Sequence, residues 1–335
     1  IGVSLKILGA NASTTIIDGG SVNTVVIISS SSANVTLSKL TIRNGYATLG
    51  GGIINIGTLT LNNCTITANS AQYGGGGIDN YGMLTINHSA ITASNLYQYS
   101  SGGAIMNWSA LTINKSTISG NSAASGGGIF SGCCSSLSTT VTTINDSTVS
   151  GNSATGTGGG MLIISGTATI NNGTISGNSA AQGGGILNYV PMTINNSTIG
   201  GNSAAIGGGI EQAADYGGSV IQNSIIANNS GGNCLGTISS NGYNLSSDNT
   251  CYFNGPGDMN NTNPKLGTLG NYGGPTQTIP LRYRSPAIDA GNPNGCTDGS
   301  GNLLKTDQRG APRPDPEDTG GCDIGAFERQ MPQDH

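Results

Sequence analysis

Charge is scarce in this chain. Only 8% of its 335 residues are Asp, Glu, Lys or Arg, and the net charge is -5. With so few cations and no basic stripe, the sequence argues against a nucleic-acid partner, which would be held largely through phosphate contacts. Long hydrophobic runs are also missing, and no amphipathic helical stripe takes their place. Neither a membrane span nor a helix lying on a membrane is expected. Histidine is limited to His88 and the terminal His335, and residues 1–230 hold only one of the eleven prolines. No signal-peptide-like stretch opens the chain, which is expected to be a mature secreted form or a processed fragment.

What the sequence does have is a repeat. A run of small residues, mostly glycine, is followed by an apolar anchor at Ile53, Ile78, Ile105, Ile129, Met161, Ile186 and Ile210, at spacings of 25, 27, 24, 32, 25 and 24 residues. A period this short, with one longer insertion, means stacked coils. Within each unit, phrases such as Leu59-Thr60-Leu61-Asn62 and Leu84-Thr85-Ile86-Asn87 alternate apolar and polar residues with period two. They are rich in β-branched residues, so they predict strands. A leucine-rich horseshoe would need a Leu consensus and helical segments, which are absent. The expected fold is all-β, a right-handed parallel β-helix of about nine coils and roughly 40 Å in length.

Asparagine occupies fixed columns. Asn62, Asn87, Asn114, Asn145, Asn171 and Asn195 form one, expected to point inward as a stacked amide ladder and to turn the corner in the left-handed conformation. Asn69, Asn121, Asn152, Asn178 and Asn202 form a second. Many of these asparagines, and Asn63 and Asn172 beside them, open Asn-x-Ser/Thr triplets, which this packing explains without glycosylation. Asn11, Asn34, Asn228 and Asn244 lie outside the regular columns and are the candidate glycosylation sites.

Composition divides the chain into a β-helix over residues 1–230 and a C-terminal capping or anchor-like module over 231–335. The second part carries seven basic and eleven acidic residues, ten prolines and four of the seven cysteines. The simplest pairing joins Cys234 to Cys251 and Cys296 to Cys322, and it implies an oxidising compartment. Since seven is odd, at least one thiol is free or bonded between chains. Cys64 is expected to face outward in the column of His88, Lys115, Asp146 and Asn196, and Cys133 and Cys134 fall in the insertion. Arg309, Arg313, Asp323 and Glu328 are expected to form ion pairs that hold the module together.

Gly102-Gly103-Ala104-Ile105, its Gly-Gly-Gly-Ile relatives and the Ile118-Ser119-Gly120-Asn121 phrase resemble the repeats of polymorphic outer-membrane proteins, with Ile or Val where that family often has Phe. The tail resembles the C-terminal module of bacterial right-handed β-helix surface proteins called choice-of-anchor Q. It does so through Ser285-Pro286-Ala287-Ile288-Asp289-Ala290-Gly291, Asp307-Gln308-Arg309-Gly310 and Cys322-Asp323-Ile324-Gly325-Ala326-Phe327-Glu328. The resemblance implies a bacterial secreted or surface protein and brings no catalytic residues with it.

If the anchors point inward, period two sends the next residues outward. The outward face then comprises Ile54, Tyr81, Met106, Trp108, Phe130, Leu162, Ile164, Leu187 and Tyr189, with Asp79 and Glu211 as its carboxylates. That face is largely apolar, a candidate contact surface. Tyr81, Trp108 and Tyr189 also offer rings for carbohydrate stacking. A glycosidase needs two carboxyl groups about 5 to 10 Å apart. Asp79 and Glu211 stand five coils apart, roughly 24 Å, and Glu211 and Asp215 have no cation or base between them. A lyase needs a cationic base, and Lys115 is the only Lys or Arg between Arg43 and Lys265. The chain is therefore expected not to be an enzyme, and no cofactor is expected. The weak metal signal is a calcium-like run, Asp289, Asn292, Asn294 and Asp298, better explained as Asx turns.

The expected function is that of a non-catalytic extracellular or cell-surface solenoid with a structural or adhesive role. Its partner would be another surface protein or a further copy stacked head to tail into a filament, since Ile1–Leu8 enters directly as an uncapped strand. The alternative is a carbohydrate-binding or polysaccharide-active β-helix.

Overall fold

A computed structural model describes residues 1–96, 100–132, 140–213, 217–316 and 321–330. The architecture is the expected one, an all-β solenoid with no helix among the described residues and parallel pairing between successive coils. One coil illustrates the path. Ile53–Asn55 belongs to a nine-stranded sheet, Thr58–Asn62 to a ten-stranded one, Thr65–Thr67 to another ten-stranded one and Ser70–Gly74 to a minor five-stranded one. We call these sheets 1 to 4 in that order. Ile53, Leu59, Leu61 and Ile66 point inward and are wholly buried. Each repeat places equivalent side chains above them in register, as Ile78, Leu84, Ile86 and Ile91 do. Burying each such side chain contributes about 1.5 to 3 kcal/mol, so a coil folds only against its neighbours.

The corner between sheets 2 and 3 corrects two expectations. The ladder asparagines alternate with the inward leucines, so Asn62 and its equivalents stand on the outer side, mostly half-buried, and not in the interior. The ladder itself is real. Each Nδ2 donates to Oδ1 of the neighbouring asparagine, from Asn87 to Asn62 at 2.9 Å and on to Asn195 and Asn171 at 2.9 Å. The left-handed residue is the next one along, Asn63, His88, Lys115, Asp146, Asn172, Asn196 and Asn223, with φ between 47° and 53°.

The residue after that turns inward and is usually serine. Ser89 and Ser116 accept the backbone N–H of the preceding coil at 2.9 and 3.0 Å and donate to the carbonyls of Asn87 and Asn114. Asn-x-Ser is thus a corner motif. Cys64 stands in this serine slot, buried at 2% exposure, and not in the outward column of His88. Its thiol is free, and burial pushes its pKa up. Cys133 and Cys134 lie outside the described residues.

The interior polar ladder is the second column. Asn121, Asn152, Asn178, Asn202 and Asn229 are buried, and each amide from Asn121 to Asn202 donates to Oδ1 of the next coil at 2.9 to 3.0 Å. A third ladder has no counterpart among the expected columns: Asn55 donates to Asn80 at 2.7 Å, Asn80 to Asn107 at 2.8 Å, and Asn188 to Gln212 at 2.7 Å. A directional ladder leaves an acceptor orphaned where it begins. The buried Oδ1 atoms of Asn55 and Asn188 lack partners because Ile28 and Ile163 precede them in the stack.

The division at residue 230 also needs correcting. Cys234–Leu235, Ile238–Ser240 and Leu245–Ser246 extend sheets 1, 2 and 3, so the rod runs on past that point. The Cys234–Cys251 disulfide then folds a loop over the end, where Phe253, 5% exposed, joins the main core. The tail beyond this loop is not an end cap. Its described residues from about 263 to 316 and 321 to 328 lie against the outer side of sheet 3, where Leu281, Ala287, Ile324 and Phe327 pack on Ile225, Ala227 and Leu245, and against the neighbouring corner, where Asn196 and Asn172 donate to the carbonyls of Thr297 and Thr306. At the other end, Leu5–Leu8, Ile16–Asp18 and Val26–Ile28 each pair on one side only.

Candidate functional site

The outward face of sheet 1 has the register expected of it, with Ile54, Asp79, Met106, Phe130, Leu162, Leu187 and Glu211 in one column. Its exposure does not match the expectation. Met106, Phe130, Leu162 and Leu187 are at most 9% exposed and form a second apolar cluster, with Trp108, Ile164 and Tyr189 packed against it and half-buried. Glycines explain the cover. Before each strand a glycine with positive φ, such as Gly158 or Gly183, folds the chain back so tightly that an added Cβ would lie 2.7 or 2.6 Å from Cβ of Leu162 or Leu187. The strip is mainly satellite core, and the open apolar face is smaller than expected.

One part of it stays open. Tyr81 is 43% exposed, and its ring stacks with that of Trp108 at 6.1 Å between centroids and 11° between planes. Both polar tips turn onto one carboxylate. Tyr81 Oη donates to Asp79 Oδ2 at 3.0 Å, and Trp108 Nε1 donates to Asp79 Oδ1 at 3.0 Å. Asp79 is wholly buried between Ile54 and Met106 of the adjacent coils. Burial pushes its pKa up to about 6, with the two donors opposing the rise, and the Tyr81 hydroxyl is pushed up to about 12 by burial and by the neighbouring carboxylate. Both carboxylate oxygens already accept a hydrogen bond. The site presents two aromatic rings held by hydrogen bonds to a buried carboxylate. The contact between Asp79 and Trp108 is legible in sequence only as an i, i+2 relation carried across adjacent coils, a signal that inspection of either residue alone does not reveal.

The pH response is set by the sign of this shift. The folded chain holds the Asp79 proton more tightly than the unfolded chain, so this contribution to stability is fully present below pH 3.8 and is lost as pH rises through about 6. A shift of this size corresponds to about 3 kcal/mol. Trp108 is the only tryptophan, so its fluorescence is expected to titrate near pH 6, while the melting temperature falls over the same range. In Asp79→Asn both transitions should vanish. A tryptophan signal that keeps its midpoint in that variant would assign the titration to another group.

The remaining candidate residues are scattered. Glu211 lies five coils from Asp79 along the same column, its Oε2 is buried without a hydrogen-bond partner, and burial pushes its pKa up. Asp215 lies outside the described residues. Asn11, Asn34 and Asn228 are exposed. Asn244 is wholly buried and its Nδ2 donates to Ile221 and Ser240, so it cannot carry a glycan. Asp298 accepts from the backbone of Ser300 and Asn302, and Asn292 accepts from Asn294 N–H, both Asx turns. Asp289 donates its N–H to Asp323.

Both tail disulfides form as paired in sequence. Of the four residues expected to form ion pairs, Arg313 and Glu328 do so with each other, Arg309 pairs with Asp307 instead, and Asp323 accepts the backbone N–H groups of Asp289 and Arg329 and joins no ion pair among the described residues. Arg313 meets Glu328 at 2.8 Å with both side chains wholly buried, while Arg309 pairs with Asp307 at 2.7 Å and lies over the Phe327 ring. No family model matches this chain, and no curated protein or solved structure matches it significantly.

Proposed function

We propose that the chain is a non-catalytic solenoid of an extracellular or cell-surface setting, structural or adhesive, that acts by contact. The observation that carries this is the Tyr81–Trp108 pair. On a face whose other apolar side chains are largely packed away, these two rings are braced by a buried carboxylate and left partly open. Exposed, immobilised Tyr and Trp bind at low entropic cost and are enriched at contact surfaces. The two disulfides accord with an oxidising compartment. The same rings favour carbohydrate as a second reading, since a sugar can stack on them.

Head-to-tail stacking has less support. The tail expected to cover the next copy's first coil is held on its own sheet 3. Light scattering at high concentration is expected to show no growing filament.

The test is retention on immobilised glycoproteins and on insoluble polysaccharides. Wild type should be retained on at least one of them without releasing reducing sugar, and Trp108→Ala should lose retention while its circular dichroism still reports the folded solenoid, at a melting temperature lowered by the lost packing and the lost bond to Asp79. Released reducing ends would refute the non-catalytic reading, and undiminished retention of Trp108→Ala would remove the ledge from it.

A further inference from the structure

Sheet 3 carries an outward threonine column that the chain itself uses as a docking rail. The column runs in unbroken register through Thr41, Thr65, Ala90, Thr117 and Thr148, then on to Thr174 and Thr198. At one end Thr41 Oγ1 donates to the carbonyl of Ala12 at 2.6 Å. At the other, Thr148 Oγ1 donates to the carbonyl of Gln277 at 2.6 Å, and Thr198 Oγ1 accepts from Ala326 N–H at 3.1 Å. Gln308 spans two rungs, accepting from Thr174 at 2.6 Å and donating to Thr148 at 2.9 Å. Every occupied rung thus binds polypeptide through a backbone or carboxamide group, and Thr148, Thr174 and Thr198 are at most 1% exposed as a result.

Between the two covered stretches the rail is bare. Thr65, Ala90 and Thr117 stay half-exposed. They floor a groove of about 350 Å³ that ends at Pro275, where the tail begins its cover, and His88 and Lys115 also line it. Lys115 is the only Lys or Arg between Arg43 and Lys265, and it joins none of the ion pairs among the described residues. The nearest carboxylate along its column, Asp146, accepts from Asn172 at 3.1 Å and also feels the Lys115 charge, which opposes the upward push of burial on its pKa. Lys115, without an ion-pair contact but in electrostatic reach of Asp146, and a histidine therefore border a hydroxyl-lined notch in a chain that is otherwise poor in positive charge.

We propose that this notch binds an extended acidic peptide segment of a partner protein, laid over sheet 3 in continuation of the chain's own tail. Its backbone carbonyls accept from Thr65 and Thr117, as Gln277 accepts from Thr148, and a carboxylate side chain meets Lys115 and His88. Continuity with the tail contact favours a peptide over a sugar, and the Lys115 ammonium favours an acidic one. This site is separate from the Tyr81–Trp108 ledge, so the two proposals can fail independently.

The probe is a short fluorescein-labelled poly-L-glutamate, followed by anisotropy at low salt, with oligogalacturonate as competitor. Binding is expected to saturate and to be screened out at high salt. It should weaken at least about tenfold in Lys115→Glu, several-fold in the near-isosteric Thr117→Val, and not at all in Trp108→Ala. Non-saturable binding, or equal binding by Lys115→Glu, overturns the proposal. An unchanged affinity in Thr117→Val reduces the contact to bare charge and overturns the rail as its basis. Tight direct binding of oligogalacturonate with none of poly-L-glutamate would make the notch an acidic-glycan site and also overturn it.

Discussion

Arg313→Met is expected to release the tail from sheet 3 while leaving the coils folded. Arg313 makes three contacts at once: Nε to Glu328 Oε2 at 2.8 Å, one terminal nitrogen to the Asn172 side chain on the rod at 3.0 Å, and the other to the Gly325 carbonyl at 2.8 Å. Removing one partner of a buried ion pair strands the other charge, at a cost of about 3 to 5 kcal/mol. Limited proteolysis should therefore cut between residues 263 and 316 in the variant and not in wild type, with the coil fragment surviving. Burial already pushes the Glu328 carboxyl up against the opposing pull of Arg313, and without the arginine it rises further. An acid whose folded pKa is raised keeps its stability at low pH and loses it as pH rises, so the defect should shrink on acidification. Replacing both partners, in Arg313→Met with Glu328→Leu, should recover most of the loss, because an apolar pair strands no charge. A single variant with unchanged proteolysis would mean that the Leu281, Ile324 and Phe327 cluster holds the tail unaided.

The architecture is legible because it repeats. Seven apolar anchors and a period-two alternation leave little choice of strand, face or register, and Ile53, Ile78 and Ile105 are buried as their spacing requires. The corners are harder, because there a shift of one residue changes a side chain's direction. Placing Cys64 in the column of His88 is a slip of one residue, since the repeats align it with Ser89, its equivalent in space, and turning the ladder from Asn62 inward overlooks that Asn62 shares a side with Thr60. The outward strip is overestimated for a different reason. Period two gives the direction of a side chain and not what covers it, and Leu162 and Leu187 are covered by backbone folded back at glycines. The tail is hardest to place because it has no period. Gln308 meets Thr148 across 160 residues, a pairing that nothing local in the sequence encodes.

The two asparagine columns look alike in sequence, and their different burial predicts different costs. Asn178 sits in the interior ladder. Its Oδ1 accepts both N–H and Nδ2 of Asn152, and its Nδ2 donates to the Val149 carbonyl and to Asn202. In Asn178→Ala the Asn152 N–H is left buried without a partner, at about 1 to 3 kcal/mol, the Asn152 amide and the Val149 carbonyl each lose one hydrogen bond, and a cavity opens beside Gly160. The expected loss is roughly 3 to 6 kcal/mol, read as a large fall in denaturant midpoint. Asn178→Ser should lose less, because the chain already places Ser94 at this position of the ladder, where its N–H donates to Asn121 at 2.9 Å. Asn145 of the outer ladder exchanges the same kind of amide bond with Asn114 and Asn171 at 2.9 and 3.0 Å, but it is half-exposed. Water can replace its partners there, and Asn145→Ala should cost no more than about 1 kcal/mol. The decisive measurement is the pair of variants side by side: equal losses would show that ladder geometry and not burial sets the energy, whereas a several-fold larger loss at Asn178 would identify the interior column as the one that holds successive coils in register.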